Sequence, residues 1–218
     1  MLLSILFTLS EILPVILYIC FARRNRHEGL FVIFLYCLTS LVTESLFFFL
    51  QHKIDQFYLF ASFTICEYTL FTVFLYLSIK YKKLKSIPIL GSLIFYTMAI
   101  INFTTKKSET FDSLSASVEA ILIIVYSIIF LYEQIKDPSV IYVYYAKKFW
   151  IVIAFFLYFS STLFLFLYAA TFTNQEHHSY WYINNIFDIL KNIFFCVAFA
   201  MKKNKVYKSP LESLYVDM

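Results

Sequence analysis

The sequence predicts an all-α, polytopic membrane protein: a bundle of seven transmembrane helices with its N-terminus outside and its C-terminus in the cytoplasm. Hydrophobic residues form 61% of the 218-residue chain and charged residues only 15%, whereas a soluble domain is about 45–50% apolar and about 25% charged. The apolar residues gather in seven long stretches, and the Lys and Arg residues fall mainly on alternate loops. This composition excludes a soluble globular domain.

Each apolar stretch is long enough to cross the hydrocarbon core, which is about 30 Å thick and takes about 20 helical residues. The predicted spans, in order, are Leu2–Ala22, Leu30–Leu50, Phe57–Ile79, Ile87–Phe103, Leu114–Tyr132, Phe149–Phe172 and Trp181–Met201. The first span is expected to be a retained helix rather than a signal peptide, because Glu11 and Pro14 interrupt it and no basic segment precedes it. We therefore expect one seven-helix transmembrane domain, residues 1–201, and a short basic cytoplasmic tail, residues 202–218.

The distribution of basic residues predicts the orientation of the bundle. Fourteen of the 18 Lys and Arg residues lie in the first, third and fifth loops or in the tail. These are Arg23, Arg24, Arg26, Lys80, Lys82, Lys83, Lys85, Lys136, Lys147, Lys148, Lys202, Lys203, Lys205 and Lys208. The opposite face has only Lys53, Lys106 and Lys107, and cytoplasmic loops are the ones enriched in Lys and Arg. The net charge of +4 therefore needs no nucleic-acid partner, since topology and anionic lipid head groups account for it.

Six ionisable residues lie within the spans, where a charged group is costly and usually marks a functional site. They are Glu11, Glu44, Glu67, Glu119, Asp188 and Lys191. Polar residues stand near them at helical spacing, and three of these are expected to support the cluster: Asn184, Tyr68 and Tyr126. Five helices thus present a polar inward face. The fourth and sixth spans carry no charge, which suggests peripheral or gap-filling positions for them.

The depth of these residues predicts a cluster in the outer half of the bundle. Glu44, Glu119 and Asp188 lie toward the outer ends of their spans. Either an outward-opening cavity or a closed hydrogen-bonded cluster would produce this distribution. Asp188 and Lys191 are three residues apart, the spacing at which helical side chains meet, so we expect an ion pair. A purely structural alternative is that the buried carboxyl groups, mostly protonated, hold the helices in register.

The candidate cofactor, metal and catalytic sites are weaker. Lys191 resembles the retinal-bearing lysine of rhodopsins in lying midway along a seventh helix. In microbial rhodopsins, however, the seventh-helix Asp precedes the Lys by four residues rather than three, so retinal on Lys191 is the less favoured alternative and no cofactor is predicted.

His52, His177 and His178 share the predicted outer face and are the candidates for a metal site, but adjacent loop histidines are usually solvated. Common hydrolase and phosphate-binding motifs are absent, so we do not predict an enzyme.

Two short segments and one asparagine carry a resemblance to known proteins. They are Ser40–Phe48 (SLVTESLFF), Ile65–Phe71 (ICEYTLF) and Asn192. Through them the chain resembles small uncharacterised seven-helix membrane proteins of bacteria, and its topology is distantly similar to the seven-helix sensory modules of histidine kinases. The resemblance implies a single bundle and no particular activity.

Abundant Phe, Ile, Tyr and Lys with few Gly and Pro is typical of AT-rich bacterial genomes, which favours the bacterial inner membrane.

We therefore expect an inner-membrane receptor-like or accessory subunit that senses a small ligand, an ion or a membrane state through the outer-half polar cluster. The loops are too short to fold alone, so its output would pass to a separate protein partner in the membrane or cytoplasm. The alternative is a small carrier or proton-coupled channel that uses the same carboxylates.

Overall fold

Seven long helices make up most of the computed structural model, which describes residues 2–25, 29–50, 56–105, 112–136, 143–169 and 174–202. They are α1 (Leu2–Cys20), α2 (Phe31–Leu50), α3 (Gln56–Ser78), α4 (Ser86–Thr105), α5 (Ser113–Lys136), α6 (Lys147–Tyr168) and α7 (Asn174–Ala200). A short helical turn, Ala22–Asn25, follows α1, and a 3-10 turn, Val143–Tyr145, precedes α6. The described residues contain no strand. The prediction of an all-α chain is confirmed.

The helices α2 to α7 are each long and apolar enough to cross a membrane. The part of α1 whose side chains are described, Leu6–Cys20, is a shorter apolar segment. These helices are those of an integral membrane protein. The predicted tail lies outside the described residues except for Lys202.

Several helix ends differ from the predicted spans, because a helix can continue past the hydrophobic window when its polar side chains find partners or water. α5 runs to Lys136 rather than Tyr132, since Glu133 is buried and accepts the backbone N–H groups of Lys80 and Tyr81. α7 begins at Asn174, seven residues before the predicted span. The stretch predicted as the last loop is therefore largely helical.

Six of the helices form a closed ring in which each packs against the next, in the order α1, α2, α3, α5, α6, α7 and back to α1. α4 lies outside the ring against α3 and α5, as its lack of charge suggested. The other uncharged helix, α6, takes the gap-filling position instead: it lies within the ring and buries Phe155, Phe159 and Thr162 almost completely. An uncharged apolar helix can thus fill the core as readily as face lipid.

Aromatic side chains fill one half of the ring, where α1, α3, α5 and α7 end. Phe71 is central to this packing: its ring centroid lies 4.3 Å from that of Tyr36 and 4.1 Å from that of Phe155. Phe195 joins them from α7, 5.9 Å from Phe155. We call this the aromatic half, and the opposite half, where α1, α3, α5 and α7 begin, the cavity half. Each such ring pair contributes about 0.5–1.5 kcal/mol beyond its burial.

Candidate functional site

A cavity of about 180 Å³ lies in the cavity half, with lining residues from all six ring helices and none from α4. It brings together all five acidic residues that the sequence places within spans: Glu11, Glu44, Glu67, Glu119 and Asp188. Each comes from a different helix. Glu11, Glu67, Glu119 and Asp188 are buried, whereas Glu44 is exposed and forms part of the rim.

Lys191 is not one of the residues that line the cavity. It is only 2% exposed and lies against three that do, Asp188, Tyr36 and Tyr158, and we call this layer the floor of the site. Lys191 makes the ion pair with Asp188 that their spacing predicts, and it donates a hydrogen bond of 2.5 Å to the hydroxyl of Tyr36. Its ammonium also lies 4.2 Å from the ring centroid of Tyr158, within cation–π range. Asn192 donates to the second carboxylate oxygen of Asp188 at 2.9 Å. Both members of the ion pair thus have further partners: Tyr36 and Tyr158 contact the ammonium, and Asn192 binds the carboxylate.

Tyr36 connects this floor to the carboxyl groups above it. Its hydroxyl accepts from Lys191, and its phenol interacts electrostatically with Glu67, so groups of α2, α3 and α7 meet at Tyr36. Glu11 is held separately by the hydroxyl of Ser40, which donates to it at 2.8 Å. These contacts tie neighbouring helices together at the depth of the cavity.

Two residues that line the cavity each have one buried carboxyl oxygen without a hydrogen-bond partner among the described residues. These oxygens are Oε1 of Glu67 and Oε1 of Glu119, on side chains that are 6% and 2% exposed. The two carboxyl groups are close enough to interact electrostatically. A buried polar atom without a hydrogen bond costs about 1–3 kcal/mol, so a partner supplied by a ligand, a proton or water would stabilise these oxygens.

The rest of the cavity wall is largely aromatic. Its rings are Phe7, Phe47, Phe60, Phe63, Phe166 and Trp181, together with Tyr36 and Tyr158. The site thus combines apolar walls with a few convergent polar groups, the usual composition of a small-molecule site. Its volume is slightly larger than that of the roughly 150 Å³ cavity known to hold benzene.

The three residues expected to support the cluster do not share one place. Asn184 lines the cavity and accepts a 3.1 Å hydrogen bond from Tyr158. Tyr68 and Tyr126 are not among the lining residues. Their hydroxyl groups bond to each other at 3.2 Å, and Tyr68 also bonds to Ser92 on α4. Tyr68 follows Glu67 by one residue, which is about 100° around a helix, and therefore faces α4 instead of the cavity.

Sequence reasoning missed Tyr36 and Tyr158, since a search for charged residues passes over phenols. One signal was present: Tyr36, Ser40 and Thr43 recur at helical spacing along α2 and share the face that carries Glu44. Of the metal candidates, His52 and the side chains of His177 and His178 lie outside what the structure describes. The described residues elsewhere hold no group of three side chains suited to a metal ion.

Comparison of the chain with protein-family models, with curated proteins and with solved structures gives no match.

Proposed function

We propose that this protein is a receptor-like or accessory subunit of the bacterial inner membrane that binds a small ligand in the cavity and passes the signal to a separate protein. The observation that carries the proposal is the pair of unpartnered, buried carboxyl oxygens of Glu67 and Glu119 at an aromatic-walled cavity. Buried carboxyl oxygens are normally hydrogen-bonded, so this pair is suited to donors that a ligand would bring. The alternating basic loops support seven crossings, with the cavity half facing outward.

The floor of the cavity offers a route for a signal. A ligand that binds Glu67 would change the charge next to Tyr36, which interacts electrostatically with Glu67 and accepts a hydrogen bond from Lys191 of α7. The C-terminal end of α7 is hydrogen-bonded to the short helical turn that follows α1. Arg24 and Asn25 donate to the carbonyl of Phe199 at 3.0 and 3.2 Å. Ligand binding that shifts Tyr36 would therefore act through Lys191 on α7, whose C-terminal end is held at the cytoplasmic face.

The aromatic half favours a sensor over a carrier. A carrier must open its site alternately to the two sides of the membrane. Here Phe71, Phe155 and Phe195 pack directly beyond Tyr36, and opening a path would break several ring contacts at once.

Tryptophan fluorescence can test ligand binding because one of the two tryptophans lines the cavity and the other does not. Trp181 is in the wall, while Trp150 is near the opposite end and donates to the carbonyl of Tyr144 at 2.8 Å. The protein in nanodiscs would be titrated with fragments of about benzene's size that carry cationic, neutral or anionic groups. We expect a saturable response in Trp150→Phe, which keeps Trp181, and none in the matched control Trp181→Phe.

The same fragments would then be tested for flux and for partner recruitment. A bound fragment that changes the proteins copurifying with the chain, without crossing sealed proteoliposomes, supports the sensor. Movement of that fragment across the membrane would instead support the carrier function and contradict the sensor. No saturable response from Trp181 with any fragment contradicts the ligand-binding function.

A further inference from the structure

We infer that the cavity takes a small organic cation, a primary or secondary ammonium on an apolar body, with its nitrogen bound between Glu67 and Glu119. This inference rests on the proposed function and names the ligand class.

The balance of charge around the cavity points to a cation. Five carboxyl groups face one ammonium, that of Lys191, and this one is already paired with Asp188. Glu11 has the hydroxyl of Ser40 as a donor. Glu44 lies at the exposed rim, so among the buried carboxyl groups the free acceptor capacity is concentrated on Glu67 and Glu119. An anionic ligand would be repelled there, and a neutral one would supply no compensating charge.

The unmet hydrogen bonds specify an N–H donor. An ammonium nitrogen offers up to three N–H groups and accepts none, and charge-assisted bonds to carboxylate are about twice as strong as neutral ones. One such nitrogen has enough N–H groups to donate to both carboxyl groups. A quaternary ammonium has no N–H and would leave these hydrogen bonds unmet.

The walls suit the apolar body of such a ligand and not a bare metal ion. Hard cations in proteins are surrounded by six or more oxygen ligands, whereas aromatic rings such as Phe60, Phe63 and Trp181 form much of this wall. Ring faces attract organic cations and cover their carbon atoms. The cavity volume of about 180 Å³ sets the size close to that of a single ring with a short arm.

The protein already holds one ammonium by the same chemistry. Lys191 has a carboxylate partner in Asp188 and lies over the rings of Tyr158 and Tyr36 at 4.2 and 4.9 Å. The proposed ligand would repeat this arrangement one helical layer nearer the cavity mouth, with Glu67 and Glu119 as the carboxylates.

The test compares three probes of similar shape on the full chain in nanodiscs: benzylammonium, benzyl alcohol and benzoate. Binding would be followed by the fluorescence of Trp181 and by calorimetry. We expect saturable binding of benzylammonium, about tenfold or more weaker binding of benzyl alcohol, and none of benzoate. Glu67→Gln and Glu119→Gln should each weaken benzylammonium by about tenfold. Glu133→Gln should not, because this buried carboxyl is at the far end of α5.

Equal or tighter binding of benzyl alcohol or benzoate would overturn the ammonium assignment while leaving the ligand-binding function intact. Unchanged benzylammonium affinity in both cavity variants would overturn it as well. If those variants do not fold, the ranking of the three probes on the unaltered chain decides. Failure of every probe to bind would contradict the proposed function together with this inference.

Discussion

Replacing Lys191 with methionine tests whether the buried ion pair is a coupled unit. Methionine is similar in length and apolar, so the substitution removes the charge with little change in packing. It deletes the ion pair with Asp188, the 2.5 Å hydrogen bond to Tyr36 and the contact with the Tyr158 ring. Asp188 then keeps only Asn192 as a described hydrogen-bond donor, and its carboxylate must protonate or stay buried without a counterion.

The expected loss follows from that orphaned carboxylate. Removing one partner of a buried pair costs about 3–5 kcal/mol, and we expect Lys191→Met to reduce the free energy of unfolding by that amount. Asp188→Asn should cost a similar amount because it leaves the ammonium uncompensated. The double variant removes both charges, so its loss should be smaller than the sum of the two single losses by about 2–3 kcal/mol.

Reversible unfolding of the purified protein in mixed micelles, titrated with SDS and followed by circular dichroism, measures these free energies. Lys136→Met is the matched control because Lys136 is exposed at the end of α5, and it should change stability by less than about 0.5 kcal/mol. Losses that add within about 0.5 kcal/mol would refute the coupling of Lys191 and Asp188.

Three further predictions concern packing and topology. Gly91→Ala adds a Cβ where the hydroxyl of Tyr126 lies. We expect the free energy of unfolding, measured by SDS titration, to fall by about 1–3 kcal/mol despite the gain in helix propensity. An unchanged or raised stability would contradict the close approach. Glu133→Gln leaves one acceptor oxygen for the two backbone N–H groups after α3 that now bind the carboxylate. Limited proteolysis of the loop that follows α3 should therefore speed up by about tenfold. An unchanged rate would show that the carboxylate does not order this loop. Topology reporters should read cytoplasm after Lys85 and Met218, and outside near Asp55, Lys107 and His177. The opposite pattern would reverse the orientation.

The sequence predicted the helices well and the site in part. Apolar length fixes where a helix must cross hydrocarbon, so the middle of each helix agrees with its predicted span. Helical spacing also placed the carboxyl groups on inward faces, because exposing them to lipid is costly. The ends were less accurate: α7 begins at Asn174 because polar residues extend a helix into the interface once its apolar part is anchored.

The rotation of a helix is harder to predict when most of its faces are apolar. Glu67 and Tyr68 are adjacent on α3, and both are buried, but they face different neighbours. The sequence contains 18 tyrosines, and nothing local distinguishes Tyr36 or Tyr158 as members of the site. Their roles depend on Lys191, which lies more than 30 residues away along the chain in both cases, so they emerge only when the helices are assembled.

The division of the ring into two halves separates stability from binding. Phe71, Phe155 and Phe195 pack the centre of the aromatic half through their rings, and this apolar burial does not depend on the state of the cavity. In the cavity half, Glu67 and Glu119 have unmet hydrogen bonds at their carboxyl oxygens, a cost that the apolar packing of the bundle must offset while the site is empty. A ligand that satisfies these oxygens removes the cost and stabilises the cavity half selectively. Because Tyr36 belongs to both halves, it is where such a change would first reach the aromatic half.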